Sequence, residues 1–190
     1  MKIDSQDLLS DLTALTRQHI SMAEELQKHS LEDLSHRPAP GSWNALECIQ
    51  HLNLYGDYYL PEIEKQIRES EHPWQEQFKS GFLGNYFAQS MLPKEKLNKM
   101  KTFRDKDPIE TDLDVNVISE FIRQQQQMLE LLRAAEKVDL GKTKTGTSIS
   151  KFIKLKLGDS FRVVIYHNQR HLEQALRALR THKPENTGVL

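Results

Sequence analysis

The sequence predicts an all-α chain of four long helices, with a long crossover between the second and the third. Four stretches place apolar residues at alternating spacings of three and four, the stripe of a helix with one buried face. Prolines and glycines punctuate the ground between those stretches. Residues 71–113 are the least periodic, and a connection of that length lets helices two and three run parallel, as in bundles with a crossover.

Composition sets the outer bounds. A chain of 190 residues without internal repeat or linker reads as one domain, residues 1–182, followed by a flexible polar tail at 183–190. A net charge of −1 gives no global field favouring nucleic acid or an anionic membrane. No apolar run approaches the roughly 20 residues that span a bilayer. The polar, acidic residues 1–7 are unlike a secretory leader. One cysteine, Cys48, excludes an internal disulfide framework and fits a reducing, cytoplasmic setting.

The first helix is expected over 4–29, with Leu8, Leu12, Leu15, His19, Met22 and Leu26 on its stripe and Asp4 or Ser5 as its cap. Residues 30–34 form a short helical turn, which Pro38, Pro40 and Gly41 end. Asn44 and Glu47 make a capping-box pattern, so the second helix starts there and runs to about residue 69, kinked by Pro61 near Asp57. Cys48, His51, Tyr55, Tyr58 and Glu62 lean to one side of it; Ile49, Leu52, Tyr59, Ile63 and Ile67 form its other line. In the crossover, short helices are expected around 84–90 and 93–101, and the lysine-rich 94–106 stretch reads as a solvated connection. The third helix covers 114–137 with Asp114 as cap and Ile118, Phe121, Met128 and Leu132 on its stripe. Residues 149–157 alternate like a strand, but a short helical turn suits an otherwise helical chain better. Gly158 and Asp159 restart the chain, with Asp159 as cap of a fourth helix that buries Phe161, Val164, Ile165, Leu172, Leu176 and Leu179.

The chemistry concentrates at His167-Asn168-Gln169-Arg170-His171. Four residues turn a helix about 40° past a full circle and rise about 6 Å, so both imidazoles leave one face as a two-tooth chelate. His51 on helix two is the best candidate for a third donor, provided helices two and four are neighbours; His19 and Cys48 are the fallbacks. Three neutral imidazoles with an open position suit zinc, nickel or another first-row divalent ion. Such an ion polarises a bound oxygen or sulfur and lowers its pKa. Asn168 stands where a metalloprotease carries the glutamate base, so that chemistry is not indicated.

Two segments carry a resemblance. Pro40-Gly41-Ser42-Trp43-Asn44 with Glu47-Cys48-Ile49-Gln50-His51-Leu52, and His167-Asn168-Gln169-Arg170-His171-Leu172-Glu173-Gln174, resemble the helix-two and helix-four signatures of the DinB-like family. The likeness spans nearly the whole chain in order and spacing. It implies a four-helix bundle with a long crossover between helices 2 and 3, and a divalent metal held by His51, His167 and His171. It also implies a low-molecular-weight thiol, since the family includes bacillithiol transferases and mycothiol-dependent isomerases. Other members are metal-dependent hydrolases, or bundles without known activity.

Each residue also has a plainer role. Glu47 reads as a helix cap rather than a catalytic carboxylate. Trp43 reads as a packing anchor, Cys48 as a small buried side chain, and His19 as a core-edge histidine bonded to a neighbour. Tyr55 and Tyr58 either line a pocket beside the metal or pack. Gln174 is a candidate to orient a ligand, and Arg170 to hold an anionic substrate. The leading expectation is a metal-dependent S-transferase joining a thiol to an electrophilic small molecule. A hydrolase using metal-bound water, a non-catalytic metal protein and a metal-free helical module follow. A homodimer is compatible with such a bundle.

Overall fold

The computed structural model describes residues 2–92, 102–150 and 152–182. Each long helix starts where the sequence supplies a partner for its first N–H groups. Strand β1 (Lys2–Asp4) runs into α1 (Ser5–Leu26), where the Asp4 carboxylate accepts from the N–H groups of Gln6 and Asp7 at 2.9 and 3.1 Å. The short α2 (Leu31–Ser35) is capped by Ser30 through Asp33 N–H at 3.1 Å. Helix α3 (Ala45–Arg68) opens on the expected box: Glu47 N–H to Asn44 at 2.8 Å and Asn44 N–H back to Glu47 at 2.9 Å. It continues through Pro61 as one helix.

Strand β2 (Gln77–Lys79) pairs antiparallel with β1, and α4 (Phe82–Met91) follows. A 3₁₀ turn at Arg104–Lys106 leads to α5 (Asn116–Ala134), before which Asp114 accepts Asn116 N–H at 2.8 Å. A second 3₁₀ turn, Ala135–Lys137, extends α5 to the expected end. The antiparallel hairpin β3 (Lys144–Gly146) and β4 (Lys154–Lys156) then leads straight into α6 (Leu157–His182). The four long helices close a ring: α1 and α3 each pack against both α5 and α6. This is an all-α four-helix bundle. Helix α4 lies outside the ring on α6. No helix among the described residues is long and apolar enough to cross a membrane.

The core is divided. One apolar cluster gathers Leu8, Leu12, Ile63, Met128, Phe161 and Ile165, and another gathers Leu26, Ile49, Leu52, Phe121 and Leu172. Between them in chain order, every long helix contributes buried polar groups: Thr16 and His19, Asn53, Gln124 and Gln125, His167 and Asn168. Amide side chains and backbone carbonyls partner most of their polar atoms, while His19 Nδ1 and Asn53 Oδ1 have no partner among the described residues. Gln125 accepts from the Asn168 amide at 3.0 Å, His19 Nε2 meets Gln169 Oε1 at 2.8 Å, and Gln124 donates to Asn53 C=O and Asp57 at 3.2 and 3.0 Å. Gly56 makes room for this belt, since a Cβ there would fall 1.8 Å from Gln124 Oε1.

Two expectations need correction. Residues 154–156 form a strand rather than a helical turn: Leu155 is buried while Lys154 and Lys156 are not, so the period-two reading of that segment is the right one. Asp159 is not a helix cap. The helix begins at Leu157, and the carbonyls of Thr143 and Leu140 take the N–H groups of Leu157 and Gly158 at 2.9 and 3.1 Å. The Asp159 carboxylate is thereby free to accept from Ser80, Gly81 N–H and Arg162. In the described end of the lysine-rich stretch Phe103, Arg104 and Asp105 are exposed, as a solvated connection would be, while Lys106, with 19 % of its side chain exposed, donates to Leu54 C=O at 3.0 Å. The short helix expected over 93–101 and the tail at 183–190 lie outside the described residues.

Candidate metal centre

The three histidines meet. His51 projects from α3, and His167 and His171 project one turn apart from α6, which packs on it. One potential ligand atom of each lies within 4.8 Å of the others. The ring centroids are 4.6–5.0 Å apart. His51 Nε2 and His167 Nε2 are 3.2 Å apart. That separation fits a hydrogen bond from His167, and it also fits the edge of a tetrahedron with metal–nitrogen bonds of about 2.0–2.1 Å.

The outer hydrogen bonds favour convergent lone pairs. The proton on His51 Nδ1 is donated to the Lys106 carbonyl at 2.7 Å, which leaves Nε2 bare. His171 Nδ1 donates to Gln174 Oε1 at 3.0 Å, with the same consequence. Metal-binding histidines are commonly oriented in this way. Burial pushes the His51 pKa down to about 4. Burial also holds His167 and His171 well below the ordinary imidazole value, helped by the neighbouring rings and the Arg170 charge. All three rings are therefore neutral near pH 7, the protonation state a metal requires.

Helix rotation is fixed from behind. Asn168 is tied to α5 through Gln125 and Gln169 to α1 through His19, which turns His167 and His171 away from the bundle interior. His19 is fully buried, its Nδ1 has no hydrogen-bond partner among the described residues, and burial lowers its pKa to about 4. Bonded to Gln169, it stands outside the histidine cluster.

A cavity of about 840 Å³ opens in front of the cluster, a size suited to small molecules. Tyr55, Arg170 and Gln174 line it. The Tyr55 ring lies 4.7 Å from His167 and 4.9 Å from His51. Arg170 is buried, and burial together with the Arg177 charge lowers its pKa. Tyr58 does not reach the cavity; its ring packs edge-on against Tyr59 at 5.0 Å. Cys48 sits fully buried in the second core cluster, and burial raises its thiol pKa. Glu47 completes the capping box, accepts both guanidinium nitrogens of Arg37 at 2.7 and 2.9 Å, and takes Glu110 N–H at 2.6 Å.

Three contributors escaped the sequence reading. Trp43 is more than an anchor: its ring lies 4.6 Å from His51 and 5.6 Å from His171. Asp107 holds it through the indole N–H at 3.0 Å. Lys106 acts on His51 through a backbone carbonyl, which any residue type supplies and no sequence pattern marks. His51, His167 and His171 could hold a divalent ion, for the chemistry of three neutral, oriented imidazoles fits one.

Comparison with known proteins finds no match among curated proteins. No solved structure matches either. A family model described as the DinB superfamily matches residues 14–175, from the first helix past both histidine segments, and the chain belongs to that superfamily.

Proposed function

We propose that this protein is a metal-dependent enzyme that joins a low-molecular-weight thiol to an electrophilic small molecule, with His51, His167 and His171 as the metal ligands. The observation that carries this reading is the orientation of His51 and His171, whose Nδ1 protons are taken by Lys106 C=O and Gln174 so that Nε2 remains a donor. A divalent ion such as zinc or nickel supplies Lewis acidity there, lowering the pKa of a thiol at the site. Trp43 and Tyr55 flank the rings and restrict water. The thiol releases its proton to solvent, its sulfur forms a bond to the electrophilic carbon, and the bond from that carbon to the leaving group breaks, the leaving group departing with the electron pair.

Water as the nucleophile is the less favoured reading. Attack by water gains from a carboxylate base, and among the described residues lining the cavity the one carboxylate is Asp107. Its Oδ1 is engaged by the Trp43 indole N–H and by Ile109 N–H at 3.0 and 3.2 Å. An ionised thiol needs no such base. The test is a panel of thiols against a chromogenic electrophile, with zinc-loaded and nickel-loaded protein. Transfer above the uncatalysed rate that disappears in His167→Ala is expected. Hydrolysis of esters without any thiol transfer would reverse the preference.

A further inference from the structure

The wall of the cavity carries apolar side chains on both sides of the histidines. On the His167 side Val163, one turn earlier on α6, packs with Leu155 of β4 and with Phe87 and Met91 of α4 in a small cluster separate from the two bundle cores. On the His171 side stands the Trp43 ring, and Phe103 and Ile109 also line the wall. Among the described residues two charged side chains reach the cavity, and both are already engaged. Asp107 accepts from the Trp43 indole N–H and from Ile109 N–H, and Arg170 has a partner of its own. The other polar groups of the wall are uncharged: hydroxyls, the Gln174 amide and the three neutral imidazoles.

From this wall we infer that the electrophilic partner of the thiol is an uncharged molecule with an aromatic or branched-alkyl body, seated among Phe87, Met91, Leu155 and Val163 beside His167. Its role as electrophile rests on the proposed function; its binding in the cavity does not. An apolar body gains by leaving water in proportion to the area it buries. A carboxylate or ammonium on the same body would leave water and find the counter-charges of the wall already taken, which lowers its affinity. Helix α4, outside the ring of four helices, builds this seat. A Cβ at Gly84 would fall 2.4 Å from Asp159 Oδ2, so glycine lets α4 lie close on α6. Ala88, one turn on, is fully buried. Phe87 and Met91, also one turn apart, then line the cavity and set the size of the body.

The probes are 4-phenylbutan-1-ol, butan-1-ol, 4-phenylbutyrate and 4-phenylbutylamine, titrated calorimetrically against the full chain. Chelator-stripped protein is used, so that no carboxylate or amine is held by zinc. Burial of the ring predicts that 4-phenylbutan-1-ol binds about tenfold or more tighter than butan-1-ol. The engaged charges predict that it also binds about tenfold or more tighter than the carboxylate and the amine. Val163→Phe fills the seat and Phe87→Ala removes part of its wall. Each should bring the ratio of the two alcohols most of the way to one, with butan-1-ol affinity unchanged. Phe87 is half-buried, so its variant keeps the test open should Val163→Phe fail to fold. No binding of 4-phenylbutan-1-ol, an alcohol ratio near one, or a ratio that survives Phe87→Ala overturns the apolar seat. A carboxylate or amine bound as tightly as the alcohol overturns the uncharged class. Zinc uptake is measured separately on the same preparation. Tenfold preferences in protein that takes up no zinc keep this inference and remove the metal-dependent reading, whereas zinc uptake with ratios near one does the reverse.

Discussion

Helix α6 carries two buried polar clusters built on opposite rules. At its first turn, Asp159 and Arg162 form an ion pair at 3.1 Å with side chains 1 % and 2 % exposed. Ser80, Gly81 N–H and Asn85 complete it, and the groups belong to α6 and to the start of α4. Every charge there has an opposite partner. Two to three turns further on, His51, His167 and His171 present three neutral rings to one another, the Nε2 atoms of His51 and His171 left bare by their outer hydrogen bonds, with a cavity alongside. Buried polarity that closes on itself fastens one element to another. Buried polarity whose unused lone pairs converge is arranged for something else to complete. Composition does not separate the two; the direction of the leftover donors and acceptors does.

The largest expected effect tests the open cluster. Zinc-loaded and desalted wild type should retain about one ion per chain by elemental analysis, and His51→Ala should retain almost none. Metal retained by the variant would move the third ligand elsewhere. The closed cluster predicts the opposite pattern. Arg162→Ala strands a buried carboxylate and should cost about 3–5 kcal/mol in urea unfolding, while the fraction that stays folded still binds one ion. Loss of metal from folded Arg162→Ala would show that the two clusters are not independent.

This contrast was only half legible in the sequence. The bundle was readable because stripes and caps are local: Leu8 to Leu26 on α1, and the Asn44–Glu47 box, are decided within a few residues of chain. The histidine triad was readable because one helix turn brings His167 and His171 together, leaving only His51 to be found. The closed cluster was not readable. Asp159 carries every mark of a cap, and what displaces it from that role is a pair of carbonyls, Thr143 and Leu140, from the preceding loop and hairpin. The strand at 154–156 was lost to the helical context of the chain, although Lys154, Leu155 and Lys156 alternate. Trp43 and Lys106 reach the site through tilted ring contacts and a backbone carbonyl, neither of which leaves a spacing to recognise.

Acid should distinguish the neutral groups next. His19 has a folded pKa of about 4 against an unfolded value near 6.5. The unfolded chain therefore binds more protons than the folded one between those values. Stability from His19 is present in full above pH 6.5 and lost as the pH falls towards 4, at about 1.4 kcal/mol per pH unit. Measured on metal-free protein, His19→Gln should flatten the stability profile in that window by about that slope. An unchanged profile would mean that His19 binds its proton alike in the folded and unfolded chain, so that its burial costs the charged form nothing.

The smallest effect reaches the outer layer of the open cluster. Gln174 makes no claim on the metal; it takes the Nδ1 proton of His171 at 3.0 Å and so keeps Nε2 available. It is half-buried and lies in a helix, where leucine is accommodated, so the fold should tolerate Gln174→Leu. Without the acceptor, His171 can place its proton on either nitrogen, and metal affinity should fall about 10–100-fold, read by competition with a chromogenic chelator. Gln174→Glu retains an acceptor and should restore most of the affinity. Equal losses in both variants would mean that the side chain serves only to pack. Affinity unchanged in Gln174→Leu would mean that the helix alone fixes His171, making the outer bond dispensable in the open cluster, in contrast to the closed one, where each contact satisfies a buried charge.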